Sequence, residues 1–183
     1  GEPANSVDAA RDRSLPVDRA LGDGDEVTVE GLRLLALHTP GHASDHLCLA
    51  VEGTGTLFSA DHVMGWSTTV VAPPDGRMAD YMASLERLMA RDETLFLPGH
   101  GAEIRQPQRL MRGLYTHRRQ RETGIVERLA EGDRTVKEIV AALYKGVDPR
   151  LHGAAGLSVL AHLQDLVERG AVEAGEGGFY RLR

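Results

Sequence analysis

The eight histidines of this chain are unevenly spread: His38, His42, His46, His62 and His100 gather at the ends of short apolar runs, with Asp61 among them. Imidazole and carboxylate are donors that a borderline divalent ion such as zinc accepts, so the cluster invites a metal reading. His38, His42 and His46 recur every four residues, which on a helix would set them on one face. Pro40 and Gly41 forbid that helix, and a helical three-histidine site is rejected. What remains is three tight turns. Thr39-Pro40-Gly41-His42, Phe58-Ser59-Ala60-Asp61 and Leu97-Pro98-Gly99-His100-Gly101 each present one metal-competent side chain. Glycine in two of them permits close backbone approach. Asp61 is the natural bridge, because a carboxylate offers two oxygens to two ions where a neutral imidazole offers one nitrogen.

Strands must deliver those turns. Val27, Val29, Leu32 and Leu34 flank a Glu30-Gly31 turn, a hairpin whose second strand runs into His38. Leu47 to Val51 reads as a buried strand, and its Cys48 as a structural thiol, since a lone cysteine makes no internal disulfide. A reducing cytoplasm is the expected setting. After Gly53-Thr54-Gly55, the segment Thr56 to Ala60 is a third strand that stops at Asp61 and His62. Met78, Tyr81, Met82, Leu85, Leu88 and Met89 recur at spacings of three and four and predict an amphipathic helix over 78–91. Leu95 to Leu97 is a further strand, closed by Pro98-Gly99. Strands alternating with helices favour a layered arrangement with polar residues at the strands' carboxyl ends.

Residues 1–26 are acidic and loop-like, and a long helix is expected from Pro107 to Ala130. Beyond Gly132 the character changes, and a domain boundary is placed near Leu114, giving units 1–113 and 114–183. Asp133 or Thr135 can cap a helix from Val136 to Tyr144. Leu157 to Arg169 forms the next, with Leu157, Leu160, Leu163, Leu166 and Val167 on one face. Ala171 to Glu173, a glycine-rich turn and Phe179 to Leu182 make a two-stranded wing, completing a winged-helix order.

The segments T-P-G-H-A-S-D-H, L-F-S-A-D-H and L-F-L-P-G-H-G resemble the third, fourth and fifth motifs of the metallo-β-lactamase superfamily. The likeness runs from about residue 27 to the end and is nearest to the subgroup with a winged-helix tail, related to the β-lactamase-like protein 2 ribonucleases. It implies an α+β fold class: the C-terminal half of a metallo-β-lactamase αββα sandwich followed by a small winged-helix domain. It further implies that His42 ligates a first metal, Asp61 bridges, and His100 ligates a second. Two divalent ions, zinc foremost, then hold a hydroxide that attacks a carbonyl or phosphorus centre. Asp61 and His62 are the catalytic candidates, His62 because it directly follows Asp61 and is placed to face substrate or donate a hydrogen bond behind the ligands. His46 is expected in a strand, hydrogen-bonded beneath the site, and His38 at a strand end.

The family's H-x-H-x-D-H motif is missing, for no H-x-H occurs in the sequence. Four ligands go with it, among them the aspartate expected to orient the attacking water, so the chain alone is expected to bind metal weakly and to be inactive. A fragment is favoured over a truncated gene product, because the three motifs present are intact. The function expected of the complete protein is metal-dependent hydrolysis of an ester, thioester, lactone or phosphodiester, RNA included. The alternative is a non-catalytic binding or regulatory module built from a degenerate hydrolase domain plus the winged helix.

A net charge of −6 argues against a general nucleic-acid binder. DNA reading by the winged helix is disfavoured as well, since Leu157 to Arg169 holds one basic residue, Arg169, against Asp165 and Glu168. That domain is read instead as a cover over the hydrolase cleft or a homodimer contact. Arginines 105, 109, 112, 118, 119 and 121, with no acid among them, either steer an anionic substrate or form a solvated helix face paired to acidic neighbours. No apolar run approaches the roughly 18 residues that span a bilayer, so no membrane partner is expected.

Overall fold

The computed structural model describes residues 18–132 and 134–183. Strands β1 (Glu26–Val29) and β2 (Leu32–His38) form the expected hairpin, Glu26 pairing in β1 instead of closing the preceding loop. Its turn residues Glu30 and Gly31 both have positive φ, 49° and 84°, the geometry that matches the twist of paired strands. Strands β3 (Leu47–Val51), β4 (Thr56–Ala60) and β5 (Leu95–Pro98) complete a sheet of order β1-β2-β3-β4-β5, antiparallel except for the parallel β4–β5 pair. A parallel pair needs a crossover, and helix α1 (Met78–Met89) lies within it.

Register sorts the side chains onto two faces. Leu35, Ala50, Leu57 and Phe96 align across β2 to β5 and pack with Tyr81, Leu85 and Leu88 of α1. The other face carries the row Ala36, Leu49, Phe58 and Leu97, of which Leu49 and Leu97 are half-buried and Phe58 is 43% exposed. One covered and one partly open face is what half of a sandwich presents.

Helix α2 (Pro107–Glu131) runs without interruption past Leu114. Met111 and Leu114 join the sheet core, while Ile125 and Leu129 join a second cluster with Ile139, Val140, Val159, Leu163, Leu166 and Val172. Around that cluster stand α3 (Val136–Leu143), α4 (His152–Glu168) and the antiparallel wing of β6 (Val172–Ala174) and β7 (Tyr180–Leu182). Helix α3 starts in a capping box: Thr135 Oγ1 accepts from the Glu138 amide at 3.2 Å, and the Glu138 carboxylate accepts from the Thr135 amide at 2.9 Å. Of the two caps expected, Asp133 lies outside the described residues, as does most of the loop-like beginning, residues 1–17. Helix α4 begins at His152, earlier than the expected Leu157, fed by a 3₁₀ turn over Pro149–Leu151. Among the described residues no helix is long and apolar enough to cross a membrane.

His162 of α4 is 2% exposed, and neither ring nitrogen has a hydrogen-bond partner among the described residues. Burial, then the charges of Arg118, His117, Arg169 and Arg119, push its pKa down to about 3. The ring is therefore neutral in the fold, whereas in the unfolded chain it titrates near the ordinary value of about 6.5. Below that value the unfolded state takes up a proton that the fold refuses, so stability falls as pH drops from about 6.5 toward about 3. By linkage the loss at pH 5 is about 2 kcal/mol. In urea titrations at about pH 7.5 and 5, His162→Leu should gain about 2 kcal/mol on the parent chain at the lower pH. An unchanged difference between the two pH values would show that the ring is not held neutral.

Candidate metal centre

Three loops converge at the carboxyl end of the sheet. Gly41, at φ 134°, lets the turn after β2 press against the first turn of α1, where Arg77 N donates to the Gly41 carbonyl at 3.1 Å. His42 follows, and its Nδ1 bonds the Val70 carbonyl at 2.7 Å. A carbonyl only accepts, so Nδ1 carries the hydrogen and Nε2 is left as the free donor atom. Strand β4 ends in a register shift with Ala60 in the left-handed region, φ 43°, a conformation costing a non-glycine residue about 1–2 kcal/mol. Asp61 comes next. Its carbonyl accepts from Thr69 Oγ1 at 2.6 Å, and its amide donates to His46 Nε2 at 3.3 Å. The loop after β5 closes onto β4 through Gly99 N and the Ala60 carbonyl, 2.8 Å apart, and brings in His100. A Cβ on Gly99 would stand 2.7 Å from Asp61 Oδ1, so glycine is required there for the carboxylate to lie where it does.

The two oxygens of Asp61 address different histidines: Oδ2 lies 3.8 Å from His42 Nε2 and Oδ1 lies 3.6 Å from His100 Nε2. For His42 a lone pair and an anionic oxygen thus stand close with no hydrogen between them in the neutral ring, an arrangement that a cation relieves. Two donors each about 2.1 Å from one ion stand roughly 3–4 Å apart, so both spacings suit an ion between carboxylate and imidazole. The donor chemistry fits one carboxylate shared by two ions. The donor count is short, however: among the described residues no group of three or more His, Cys, Asp or Glu side chains is gathered to hold a metal ion. His42, Asp61 and His100 could therefore supply one side of such a centre, its other ligands lying elsewhere.

His46 sits as expected beneath the site, though just before β3 and not within it. Accepting at Nε2 from Asp61, it donates from Nδ1 to Thr39 Oγ1 at 2.9 Å, and that hydroxyl lies 3.2 Å from Cys48 Sγ. Burial and the neighbouring His42 push its pKa down to about 4, so it stays neutral and props the Asp61 amide. Cys48 is buried, and desolvation pushes its thiol up to about 11, consistent with a structural role. His38 ends β2 and bonds the Ser44 carbonyl at 2.9 Å.

His62 requires a correction. The turn after Ala60 sends its ring away from Asp61 into the core, where it is 0% exposed and tilted on Tyr81 with centroids 4.7 Å apart. Neither nitrogen finds a partner among the described residues, and burial pushes its pKa down to about 3. A ring so placed neither faces substrate nor hydrogen-bonds a ligand.

Thr69 and Val70 were invisible to pattern reading, because the stretch 66–74 has no periodicity and they act through one hydroxyl and one carbonyl. Arg118 was legible. It continues the 111, 114, 118, 125, 129 spacing of buried positions on α2, which marks it as facing inward. The rest of the basic stretch is mostly a paired surface: Arg105 meets Glu103, Arg119 meets Glu122, and Arg121 lies over the Tyr144 ring.

Residues 2–100 match the metallo-beta-lactamase superfamily. The chain belongs to that superfamily. Residues 135–179 of this superfamily member match the beta-lactamase associated winged helix domain, in agreement with helices α3 and α4 and the wing. A beta-lactamase-like protein 2 homolog of Drosophila melanogaster is 33% identical over 162 residues, which cover 85% of this chain and 54% of that protein. An atrochrysone carboxyl ACP thioesterase of Aspergillus terreus is 31% identical over 146 residues, 73% of this chain and 44% of its own. The crystal structure of a metallo-beta-lactamase family protein from Thermus thermophilus superposes with a TM-score of 0.78 at 28% identity, covering 89% of this chain and 54% of that one. The superfamily member described here thus spans about half the length of the relatives it matches.

Proposed function

We propose that this chain carries one side of a binuclear hydrolytic centre and belongs to a metal-dependent hydrolase of acyl compounds, thioesters among them. The observation that carries the reading is the shared carboxylate, with Asp61 Oδ2 turned to His42 and Oδ1 turned to His100. Divalent ions held there, with zinc the first candidate, would polarise a scissile carbonyl and make water nucleophilic near neutral pH. The chain's own residues prepare the place. Asp61 contributes the negative charge, and His42 is locked by Val70 with Nε2 directed at it. His46 and Thr69 fix the Asp61 main chain from both sides, so the carboxylate is positioned before anything binds. A thioester is favoured among the substrates by the likeness to the Aspergillus terreus thioesterase.

The test compares this chain with a polypeptide extended upstream by about one half-domain, the length that its relatives possess beyond the match. Elemental analysis should find about two zinc equivalents in the longer form and far fewer in the shorter. Thioester and ester hydrolysis should appear with the metal and vanish on chelation. A longer form that stays metal-free and inert towards thioesters, esters and RNA would leave the non-catalytic binding or regulatory module as the better account.

A further inference from the structure

Arg118 is 3% exposed in α2, yet no carboxylate pairs with it among the described residues. Its guanidinium is spent on neutral partners. Nη1 donates to Ser158 Oγ of α4 at 2.9 Å, Nη2 donates to the Thr69 carbonyl, and the group lies 5.1 Å from the centroid of the Tyr81 ring on α1. Burying a cation without a counter-ion is costly, so a position that keeps one on an otherwise apolar stripe asks for a reason beyond packing. The reason lies at the far end of the contact. The segment that Arg118 grips is the one that holds both inner ligands: the Thr69 hydroxyl donates to the Asp61 carbonyl, and the Val70 carbonyl accepts from His42 Nδ1.

We propose that Arg118 is a positioning residue that ties the winged-helix unit to the metal centre, holding the 69–70 segment at the height that fixes the His42 tautomer and the Asp61 main chain. The inference rests on the reading of His42 and Asp61 as ligands. Planar, forked arginine reaches Ser158 and Thr69 at once, whereas lysine places one compact charge and cannot serve both. Releasing Thr69 lets the Val70 carbonyl drift from His42, whose ring then samples the other tautomer and turns Nε2 off the carboxylate. Partners that orient a ligand from behind in this way are worth about 10–100-fold in metal affinity.

The experiment reads the ¹⁵N signals of the His42 ring in the metal-free 183-residue chain, and zinc affinity, by competition with a chromophoric chelator, in the polypeptide extended upstream. Arg118→Lys keeps the charge, Ser158→Ala removes one arm, and Leu163→Ala, deep in the second cluster, serves as a variant that lowers the melting temperature without touching the strut. The parent chain should show a single Nδ1–H tautomer. Arg118→Lys should mix the tautomers and weaken zinc binding about 10–100-fold, and Ser158→Ala should do the same to a lesser degree. Leu163→Ala should do neither at a comparable loss of melting temperature. An unmoved His42 signal in Arg118→Lys overturns the proposal. So does a Leu163→Ala chain that shifts His42 equally, for then the effect is general loosening. If the polypeptide extended upstream binds no zinc while Arg118→Lys still mixes the tautomers in the 183-residue chain, the strut stands and the metal reading falls, so the two failures are told apart.

Discussion

Asp61→Asn leaves the extended polypeptide with less than about one zinc equivalent and lowers its thioester hydrolysis roughly a thousand-fold or more, a barrier rise of about 4 kcal/mol. The substitution is nearly isosteric, so the loss comes from charge. An amide carries one oxygen and one hydrogen-bearing nitrogen where the carboxylate has two anionic oxygens, one within 3.8 Å of His42 and the other within 3.6 Å of His100. One of the two histidines must then face an N–H group, which repels a cation that the carboxylate would have attracted. The fold should survive the change, because the bonds that hold this residue in place, from Thr69 and to His46, are made by its main chain. A melting temperature close to the parent's, together with lost zinc and lost rate, is the expected pattern. A variant that keeps about two zinc equivalents and a rate within tenfold of the parent's would remove Asp61 from the centre.

Gly41→Ala is expected to destabilise the chain by at least about 3–5 kcal/mol, a large part of the roughly 5–15 kcal/mol that holds a domain folded. The new Cβ would stand 2.3 Å from Tyr81 Cα and 2.4 Å from Tyr81 N, and φ at this position is 134°, which side chains rarely adopt. No rotamer can relieve the clash, since the obstacle is the backbone of α1, and moving the helix would open the core that Tyr81, Leu85 and Leu88 close. Gly53→Ala is the comparison: φ is 73°, nothing lies within 4 Å of its Cβ, and only the conformational cost of about 1–2 kcal/mol applies. Urea midpoints of the two variants measure the difference. Equal midpoints would mean that the turn is not wedged against α1. The same contact sets where His42 begins, so zinc affinity should suffer with stability in this variant and not in the other.

The hairpin, the buried strands and the amphipathic α1 were legible because alternation and three-to-four spacing report the faces that pack. The gathering of His42, Asp61 and His100 was legible because each follows a strand in a turn with its own signature. Three things were not. The start of helix α4 at His152 was missed because its first turns, with Gly153 and Gly156, carry no apolar stripe, so the visible period begins only at Leu157. His62 looked catalytic by adjacency, but one left-handed residue at Ala60 followed by a turn sends neighbouring side chains to opposite sides, and adjacency in sequence says nothing of that. The support given by Thr69 and Val70 depends on where an irregular loop comes to rest, and irregular loops have no period to read.

Helix α2 is a rod common to two cores, with Met111 and Leu114 buried in one and Ile125 and Leu129 in the other. For anyone recombining this protein with its kin, there is consequently no neutral crossover inside it. Joining at Gly132 would confront Ile125 and Leu129 with foreign helices, while joining at Leu114 would splice a continuous helix in mid-turn and graft an unrelated Arg118 neighbourhood onto the loop behind Asp61. A viable chimera has to inherit the whole rod together with both layers that grip it.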